Sequence, residues 1–400
     1  MKKKIALVNV FFEPQNIGGA TRVFKDNIDI LLDQYSEQFE LVVFCSDDTF
    51  KEPYQLDCYL YRGIRVYRTS ILFRENMDWH PKDDKIYSLF NDFLQIENPD
   101  IVHFHCIQRL TASVVEATRS AKIPYFVTVH DAWWISDFQF LVDPSGKVYP
   151  DGHVDPFESK PTPNNVTIEE SISRSIYLKD LLNDADKTLI VSESFAQIYQ
   201  KNEIRNVVVN KNGISSSVKW LPKNTSYTDK VVCAHIGGMS EHKGYHLFKS
   251  AFQDVQPNNL EVLVVDHSKP DGYVLKDHWG SVNVQYIGRV NQNNIVKLYQ
   301  SIDVLFAPSI WPESYGLVTR EAAACGCWVV TGDIGGIGED IIEKVTGFTV
   351  NTKATSELIN VLSTISKNHN KYKLHTEIDN IRLVEEQVSE LSLIYRSKIA

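Results

Sequence analysis

Short apolar runs alternate with longer amphipathic stretches along the first half of the chain. "KIALVNV" (Lys4 to Val10), "ELVVFCS" (Glu40 to Ser46), "DIVHFHC" (Asp100 to Cys106), "YFVTVHD" (Tyr125 to Asp131) and "TLIVSES" (Thr188 to Ser194) predict buried strands. Between them, segments such as Thr21 to Tyr35 and Thr111 to Lys122 repeat apolar residues at helical spacing. Continuous apolar strands alternating with helices predict a parallel, doubly wound sheet covered on both faces. The pattern breaks at Asn212 to Asp229, rich in Ser, Asn, Pro and Lys, and then restarts with "KVVCAHIGG", "LEVLVVD", "VNVQYIG", "DVLFAPS" and "CWVVTGD". A passage of linker composition between two such series predicts two α/β domains, 1–205 and 206–380. The last segment, from about residue 380, has helical spacing and can pack back on either domain, the N-terminal one being the assignment. One passage has no sustained period: Asp131 to Val166, with two adjacent tryptophans, several prolines and several aspartates. A long irregular segment in a compact domain is functional or disordered, and the aromatic content favours an ordered loop.

Length agrees with this division, since 400 residues exceed what one core normally supports. The formal charge of −10 disfavours non-specific attachment to nucleic acid or an anionic bilayer. The opening "MKKKIALVNVFFEP" places lysines before an apolar run, but that run stops at Glu13 and is β-branched, so a first strand is expected rather than an export signal. Other segments fall short of the ~20 apolar residues that span a bilayer. The expected location is cytoplasmic, with peripheral attachment at the inner face of a membrane left open. Cysteines are scattered, and the lone close pair, Cys325 and Cys327, is weak support for zinc, so reduced buried thiols are expected.

Chemistry concentrates in "WPESYGLVTREAAACG" (Trp311 to Gly326). If "DVLFAPS" is a strand, Ser309 to Tyr315 is its exit loop and Leu317 opens a helix that Gly326 ends. The amides at Gly316, Leu317 and Val318 then form an anion site. Glu313 lies in the loop and Glu321 a turn into the helix, so the two carboxylates can flank one ligand whose phosphates rest on the helix N-terminus. Carboxylates accept paired hydroxyl hydrogen bonds well, which suits a sugar or ribose. Taken alone, the pattern would be better explained by two surface glutamates, one of them favoured by the helix dipole.

The Glu-x7-Glu pattern enclosing Tyr-Gly, followed by "GCWVVTGDIGGIGEDI", resembles the signature of retaining glycosyltransferases of the GT-B fold, specifically glycosyltransferase family 4. "NIGGATR" (Asn16 to Arg22) resembles the family's glycine-pair loop, "DIVHFHC" its His-x-His strand and "VHDAWW" (Val129 to Trp134) the His-Asp-Tyr-Trp stretch of bacterial polysaccharide members. "VSES", "KNGI" and the phosphate loop "HIGGMSEHKG" fit in order, so the likeness runs from residue 4 to about 350. It implies two Rossmann-like domains facing each other across a cleft, the first binding acceptor and the second nucleotide sugar. It further implies that Glu321 holds the ribose, Glu313 the donor sugar near the reacting carbon, and that Lys243 neutralises the diphosphate. His130 would contact the transferred sugar, and Gly18 and Gly19 would let a loop cover the diphosphate or acceptor. Gly237, Ser314, Tyr315, Gly316 and Leu317 complete the implied donor site. Trp133 and Trp134 are expected to offer stacking faces to an acceptor glycan.

Two departures stand out. Gly238 occupies a position where the family usually has arginine, and Asp266 one where glycine is frequent. Arg289, at the exit of the next strand, is expected to line the base pocket, to replace that cation, or simply to face solvent. Asp184-Ala185-Asp186 reads as a helix-exit turn and not as a metal motif. The expectation is therefore metal-independent, hexosyltransferase-like transfer with retention, without a cofactor, from a nucleotide sugar to a glycan or lipid-linked glycan of a surface polysaccharide. Alternatives are a nucleotide-sugar epimerase of the same architecture and an inactive relative that binds nucleotide sugar. A dinucleotide-dependent oxidoreductase is disfavoured because "FFEPQNIGGATR" lacks the Gly-x-Gly-x-x-Gly spacing.

Overall fold

A computed structural model of the chain describes every residue except 1, 16, 48–51, 156, 222–228, 374–376, 379 and 400, and leaves out the side chain of 399. Asn16, which opens the glycine-pair motif, and residues 222–228 of the linker passage therefore lie outside the described residues. The chain divides into two compact units: Met1–Pro144 with Asp151–Gly213 and Leu383–Ala400, and Ser145–Pro150 with Ile214–Arg382.

Unit 1 contains β1 (Lys3–Asn9), α1 (Gly18–Tyr35), β2 (Phe39–Ser46), β3 (Leu56–Tyr61), β4 (Ile64–Thr69), α2 (Asp84–Glu97), β5 (Ile101–Phe104), α3 (Ser113–Ser120), β6 (Tyr125–Val129), α4 (Ile168–Asp184), β7 (Lys187–Ile190), α5 (Glu193–Lys201) and β8 (Val207–Val209). Its eight-stranded sheet runs β3-β4-β2-β1-β5-β6-β7-β8, parallel except for the β3–β4 edge hairpin. The five predicted strands form its centre, where nearly every residue is buried on both faces. Pairing of Val207–Val209 with β7 carries the unit to Gly213, beyond the expected boundary at 205. One face of the sheet packs on α2 to α5 through residues such as Phe44, Phe90, Val127 and Leu178. The other packs on α1 and on a C-terminal helix, Val384–Ile399. That helix buries Val384, Val388, Leu391 and Tyr395, a stripe at spacing four, three and four that faces one side of a helix. Gly213 admits it: a Cβ there would lie 2.2 Å from the backbone of Leu383, while its N–H donates to the buried Gln387 Oε1 at 2.8 Å.

Unit 2 contains β9 (Val231–His235), α6 (Tyr245–Val255), β10 (Leu260–Val265), β11 (Val274–Trp279), β12 (Val282–Ile287), α7 (Ile295–Gln300), β13 (Val304–Ala307), α8 (Leu317–Ala324), β14 (Trp328–Gly332), β15 (Gly347–Val350), α9 (Thr355–Lys367) and α10 (His369–Tyr372). Its sheet runs β11-β12-β10-β9-β13-β14-β15, again parallel apart from one edge hairpin. A core of Val231, Phe248, Phe252, Val264, Phe306 and Leu362 lies under α6 and α9.

In both sheets the strand order reverses beside the first strand, between β1 and β5 and between β9 and β13. Loops leaving those strands part in opposite directions and leave a gap at the carboxyl edge, which is where doubly wound sheets bind ligands.

Because the C-terminal helix covers one face of the first sheet, Leu391→Ala should lower the unfolding free energy by about 2–5 kcal/mol. Denaturant titration reads this. A loss within about 0.5 kcal/mol, typical of a surface site, would contradict the packing.

Candidate active site

The loop leaving β9 carries Gly237, Gly238 and Lys243, and the loop leaving β13 carries Glu313 to Gly316. They lie close because a Cβ on Gly244 would fall 1.9 Å from the Pro308 carbonyl, so a residue with a side chain could not pass there. Lys243 Nζ consequently sits 3.0 Å from Glu313 Oε1, which also accepts a hydrogen bond from the Ser309 hydroxyl. The ammonium lies 5.1 Å from the centre of the Trp311 ring. Glu313 is buried, so leaving its Oε1 without these two donors would be costly. Gly237 lies beside the Lys243 stem, and Gly238, at φ +91°, turns the chain where its carbonyl lies 2.8 Å from His235 Nε2. Burial lowers the His235 pKa, against the effect of its hydrogen bonds to Gly238 and Phe306.

The glycine-rich turn after β14 holds the backbone of Glu313. Gly336 N donates to Glu313 O at 2.7 Å, and a Cβ on Gly335 would lie 2.5 Å from that same oxygen. Arg320 then ties the turn to α8. Its guanidinium, 2% exposed, donates to Gly336 O at 2.7 Å, Ile337 O at 3.1 Å, the Tyr315 carbonyl and Asp340 Oδ2 at 2.7 Å, and stacks 4.0 Å over the Tyr315 ring. Tyr315 is thus a packed support for the loop, and burial pushes its hydroxyl up to about 12. Gly316 at φ +88° precedes α8, whose first amides start at Leu317; Ser314 is half-buried beside them. Glu321 lies one turn further in, buried, with Oε2 accepting from Tyr299 of α7 at 2.8 Å. Arg289 is exposed after β12, its backbone N–H donating to Lys269 O at 3.1 Å.

In unit 1, Gly18 and Gly19 begin α1 at the exit of β1, both exposed, Gly18 at φ +81°. His130 follows β6 at the same edge, half-buried, its Nε2 2.9 Å from Nδ1 of His105. His103, fully buried, lies between Tyr395 (Nδ1 to Oη, 2.6 Å) and Thr128 (Nε2 to Oγ1, 2.8 Å). So both histidines of the His-x-His strand are buried, and His105 alone touches His130. Burial lowers His103 to about 3 and His130 to about 4, and drives His105 well below its usual value, with neighbouring imidazoles adding to the effect on His103 and His105. Asp131 Oδ2 accepts from Gln108 at 2.8 Å and Gln139 at 2.7 Å, and Oδ1 from Trp133 N at 2.9 Å; burial nevertheless raises it to about 6.

Trp133 and Trp134 correct an expectation. They are 2% and 3% exposed, edge to face at 5.3 Å within the core, so neither presents a free stacking face. The reason is Arg174 of α4, buried, which donates to the carbonyls of Trp79 (2.8 Å), Trp133 (2.9 Å) and Ser136 (3.0 Å) and draws this segment inward. Arg174, Arg320, Ser309 and Tyr299 were not singled out by the sequence; nothing in composition distinguishes a buried arginine from a solvated one. Asp184 and Asp186 pair with Arg119 and Lys398, as a helix-exit turn would. Among the described residues no group of His, Cys, Asp and Glu side chains is arranged to hold a metal ion.

Known proteins resemble this chain in sequence and in fold. Residues 17–218 match the family described as Glycosyltransferase Family 4, and residues 217–379 match Glycosyl transferases group 1. The first match covers half of the chain, which therefore belongs to glycosyltransferase family 4. A 42.6 kDa protein in the cps region of Klebsiella pneumoniae is 23% identical over 84% of this chain and 86% of its own length. Alignments to several other curated relatives span between 33% and 49% of those proteins. Sucrose-phosphate synthase from Thermosynechococcus elongatus superposes with a TM-score of 0.71 at 16% identity, covering 100% of this chain and 99% of that one. HepE of Anabaena, solved with UDP and glucose, gives 0.68 at 17%, covering 99% and 100%. At such identities these structures establish the fold, GT-B.

The histidine cluster fixes a pH dependence. Its folded-state pKa values lie below the ordinary 6.5, so the stability it contributes is full above that pH and is lost as pH falls towards about 3–4. Asp131, raised, acts oppositely between about 6 and the ordinary value, but three imidazoles outweigh one carboxyl. Melting temperature should fall between pH 7.5 and 5.0, and fall less in His103→Gln, which cannot titrate. Equal falls would contradict the assignment.

Proposed function

We propose that this chain is a retaining glycosyltransferase that moves a sugar from a nucleoside-diphosphate sugar to a glycan or lipid-linked glycan. The observation that carries the reading is the pairing of Lys243 with Glu313 at 3.0 Å, beside the N-terminus of α8 and at the reversal of strand order. Cleavage of a sugar–diphosphate bond leaves negative charge on the diphosphate and positive charge on the sugar, so donors are needed at the first and a carboxylate near the second. Lys243 and the amides of Gly316 and Leu317 supply the donors, and no metal ion is required for that charge. Glu313 holds hydroxyls of the donor sugar near the reacting carbon. Glu321, its carboxylate oriented by Tyr299, holds the ribose. His130, neutral because its pKa is lowered by burial, contacts the transferred sugar as a hydrogen-bonding group. The acceptor hydroxyl attacks from the side of the departing diphosphate, which takes its proton, so configuration is retained. Gly18, Gly19, Gly237 and Ser314 let backbone approach the ligand, and Arg289 lines the base pocket.

Uridine is the first base to test, because HepE of Anabaena was solved with UDP. The relative from a Klebsiella pneumoniae cps region suggests surface polysaccharide as the product. No described helix is long and apolar enough to cross a membrane, and a lipid-linked acceptor would be met by peripheral attachment.

Glu313→Gln should lower turnover about a hundredfold or more without weakening nucleoside-diphosphate affinity. Lys243→Ala should weaken that affinity roughly tenfold to a hundredfold and affect the monophosphate less. Calorimetry on both variants checks the division of roles; equal losses of diphosphate affinity would refute it. Activity should also survive EDTA, and a loss restored by manganese would rule out the metal-free route.

A further inference from the structure

The loop leaving β9 rests on a buried imidazole. His235 is the last residue of β9, beside the Gly237–Gly238 turn, and is 0% exposed. Both of its ring nitrogens lie against carbonyl oxygens: Nδ1 is 3.0 Å from Phe306 O on β13, and Nε2 is 2.8 Å from Gly238 O. A carbonyl only accepts, whereas a neutral imidazole carries a proton on one nitrogen alone. A neutral ring therefore turns a lone pair toward one of these oxygens, and an imidazolium satisfies both. Packing keeps the ring in this orientation, since Phe248 of α6 stacks on it at 5.5 Å and 24° and Tyr245 lies 5.7 Å away.

The other imidazoles at this loop are not placed under the same demand. His267, exposed at the exit of β10, meets Ile236 O through Nε2 at 2.7 Å. His242 Nε2 lies 3.3 Å from the Ser240 hydroxyl, which can donate as well as accept.

Within the protein alone, the surroundings oppose a charge on His235. Burial lowers its pKa and the Lys243 ammonium adds to this, while the hydrogen bonds to Gly238 and Phe306 and the Glu313 carboxylate act the other way. A diphosphate would reverse the balance, because it pairs with Lys243 and brings negative charge to the loop. Gly238 can transmit the effect. Its peptide bond to Met239 is trans, so the carbonyl held by Nε2 and the Met239 N–H point in opposite directions. Protonation of the ring polarises this peptide and strengthens its N–H as a donor on the side away from the imidazole.

We propose that binding of a nucleoside diphosphate draws a proton from solvent onto His235, so that an imidazolium beneath Gly238 adds positive charge to the loop. This rests on the glycosyltransferase reading, which brings a diphosphate to this loop. His235 acts through the backbone and is a positioning residue. Diphosphate affinity then falls as pH rises through the value that the ring has in the complex.

The test is calorimetry of the full chain with UDP, GDP, ADP and dTDP at about pH 7, in buffers of different protonation enthalpy, which counts the protons taken up on binding. Release from the ligand's own terminal phosphate is common to all variants and cancels in the comparison. Wild type should take up roughly half to one proton more than His235→Gln, whose neutral amide keeps an N–H for Gly238 O. His267→Gln, which retains His235, should match wild type. Equal uptake by wild type and His235→Gln overturns the proposal, as does a loss of uptake in His267→Gln alone. A nitrogen NMR spectrum of the wild type makes the same test without a variant. Adding the diphosphate should move one histidine ring to the shifts of a doubly protonated imidazole, and the lack of such a change overturns the proposal. Binding without the extra proton leaves the transferase reading standing; no binding of any of the four diphosphates overturns both.

Discussion

Irregular backbone can be buried only if its carbonyls find donors, and in each unit a buried arginine provides them. Arg174 joins Trp79, Trp133 and Ser136; Arg320 joins Tyr315, Gly336 and Ile337 and pairs with Asp340. A planar guanidinium can serve several acceptors at once in a fixed fork, which lysine cannot. Arg174 has its pKa lowered by burial to about 10 and so remains charged at neutral pH. The sheets place loops at their carboxyl edges, but these two arginines give the loops their shape. Without Arg320, the turn that clamps the backbone of Glu313 would keep the hydrogen bond from the Thr319 hydroxyl to Ile337 O at 3.3 Å but lose the guanidinium's bonds to Gly336 O and Ile337 O.

On this scaffold the charged chemistry is compact. Glu313 sits against Lys243 and the Ser309 hydroxyl, so its carboxylate is held by groups on its own loop and on the loop after β9. A ligand carrying a diphosphate would compete with Glu313 for the ammonium, and a sugar hydroxyl would compete for the carboxylate. Preorganisation of that kind means that the pair reorganises little when a donor replaces its internal contacts. In unit 1 the imidazoles are kept neutral by burial, which suits hydrogen bonding and not charge compensation.

Much of the architecture was legible because the central strands are buried on both faces and therefore read as unbroken apolar runs. The edge strands β3 and β11 were missed for the same physical reason: β3 alternates between exposed and half-buried, and β11 is exposed over most of its length, so "LDCYLY" and "VLKDHW" carry no such signal. Val207–Val209 is three residues long and fell on the wrong side of the expected boundary at 205. Glu313 and Glu321 could be singled out by their spacing around a strand exit. The contact of Glu313 with Lys243 joins residues far apart in sequence and was not foreseen; resemblance had placed the two in one site, on different parts of the ligand. The tryptophans at 133 and 134 misled because an aromatic pair in an irregular segment suggests an exposed platform, whereas a distant arginine buries it.

The central claim is that unit 2 holds a nucleoside-diphosphate sugar for transfer. Its most direct test is incubation of the full chain with a panel of UDP-, GDP-, ADP- and dTDP-sugars, measuring nucleoside diphosphate released with and without a bacterial glycan extract. The account predicts release from at least one donor, increased by extract and accompanied by sugar incorporated with its anomeric configuration retained. Incorporation with inverted configuration, or no release from any donor under either condition, would contradict it.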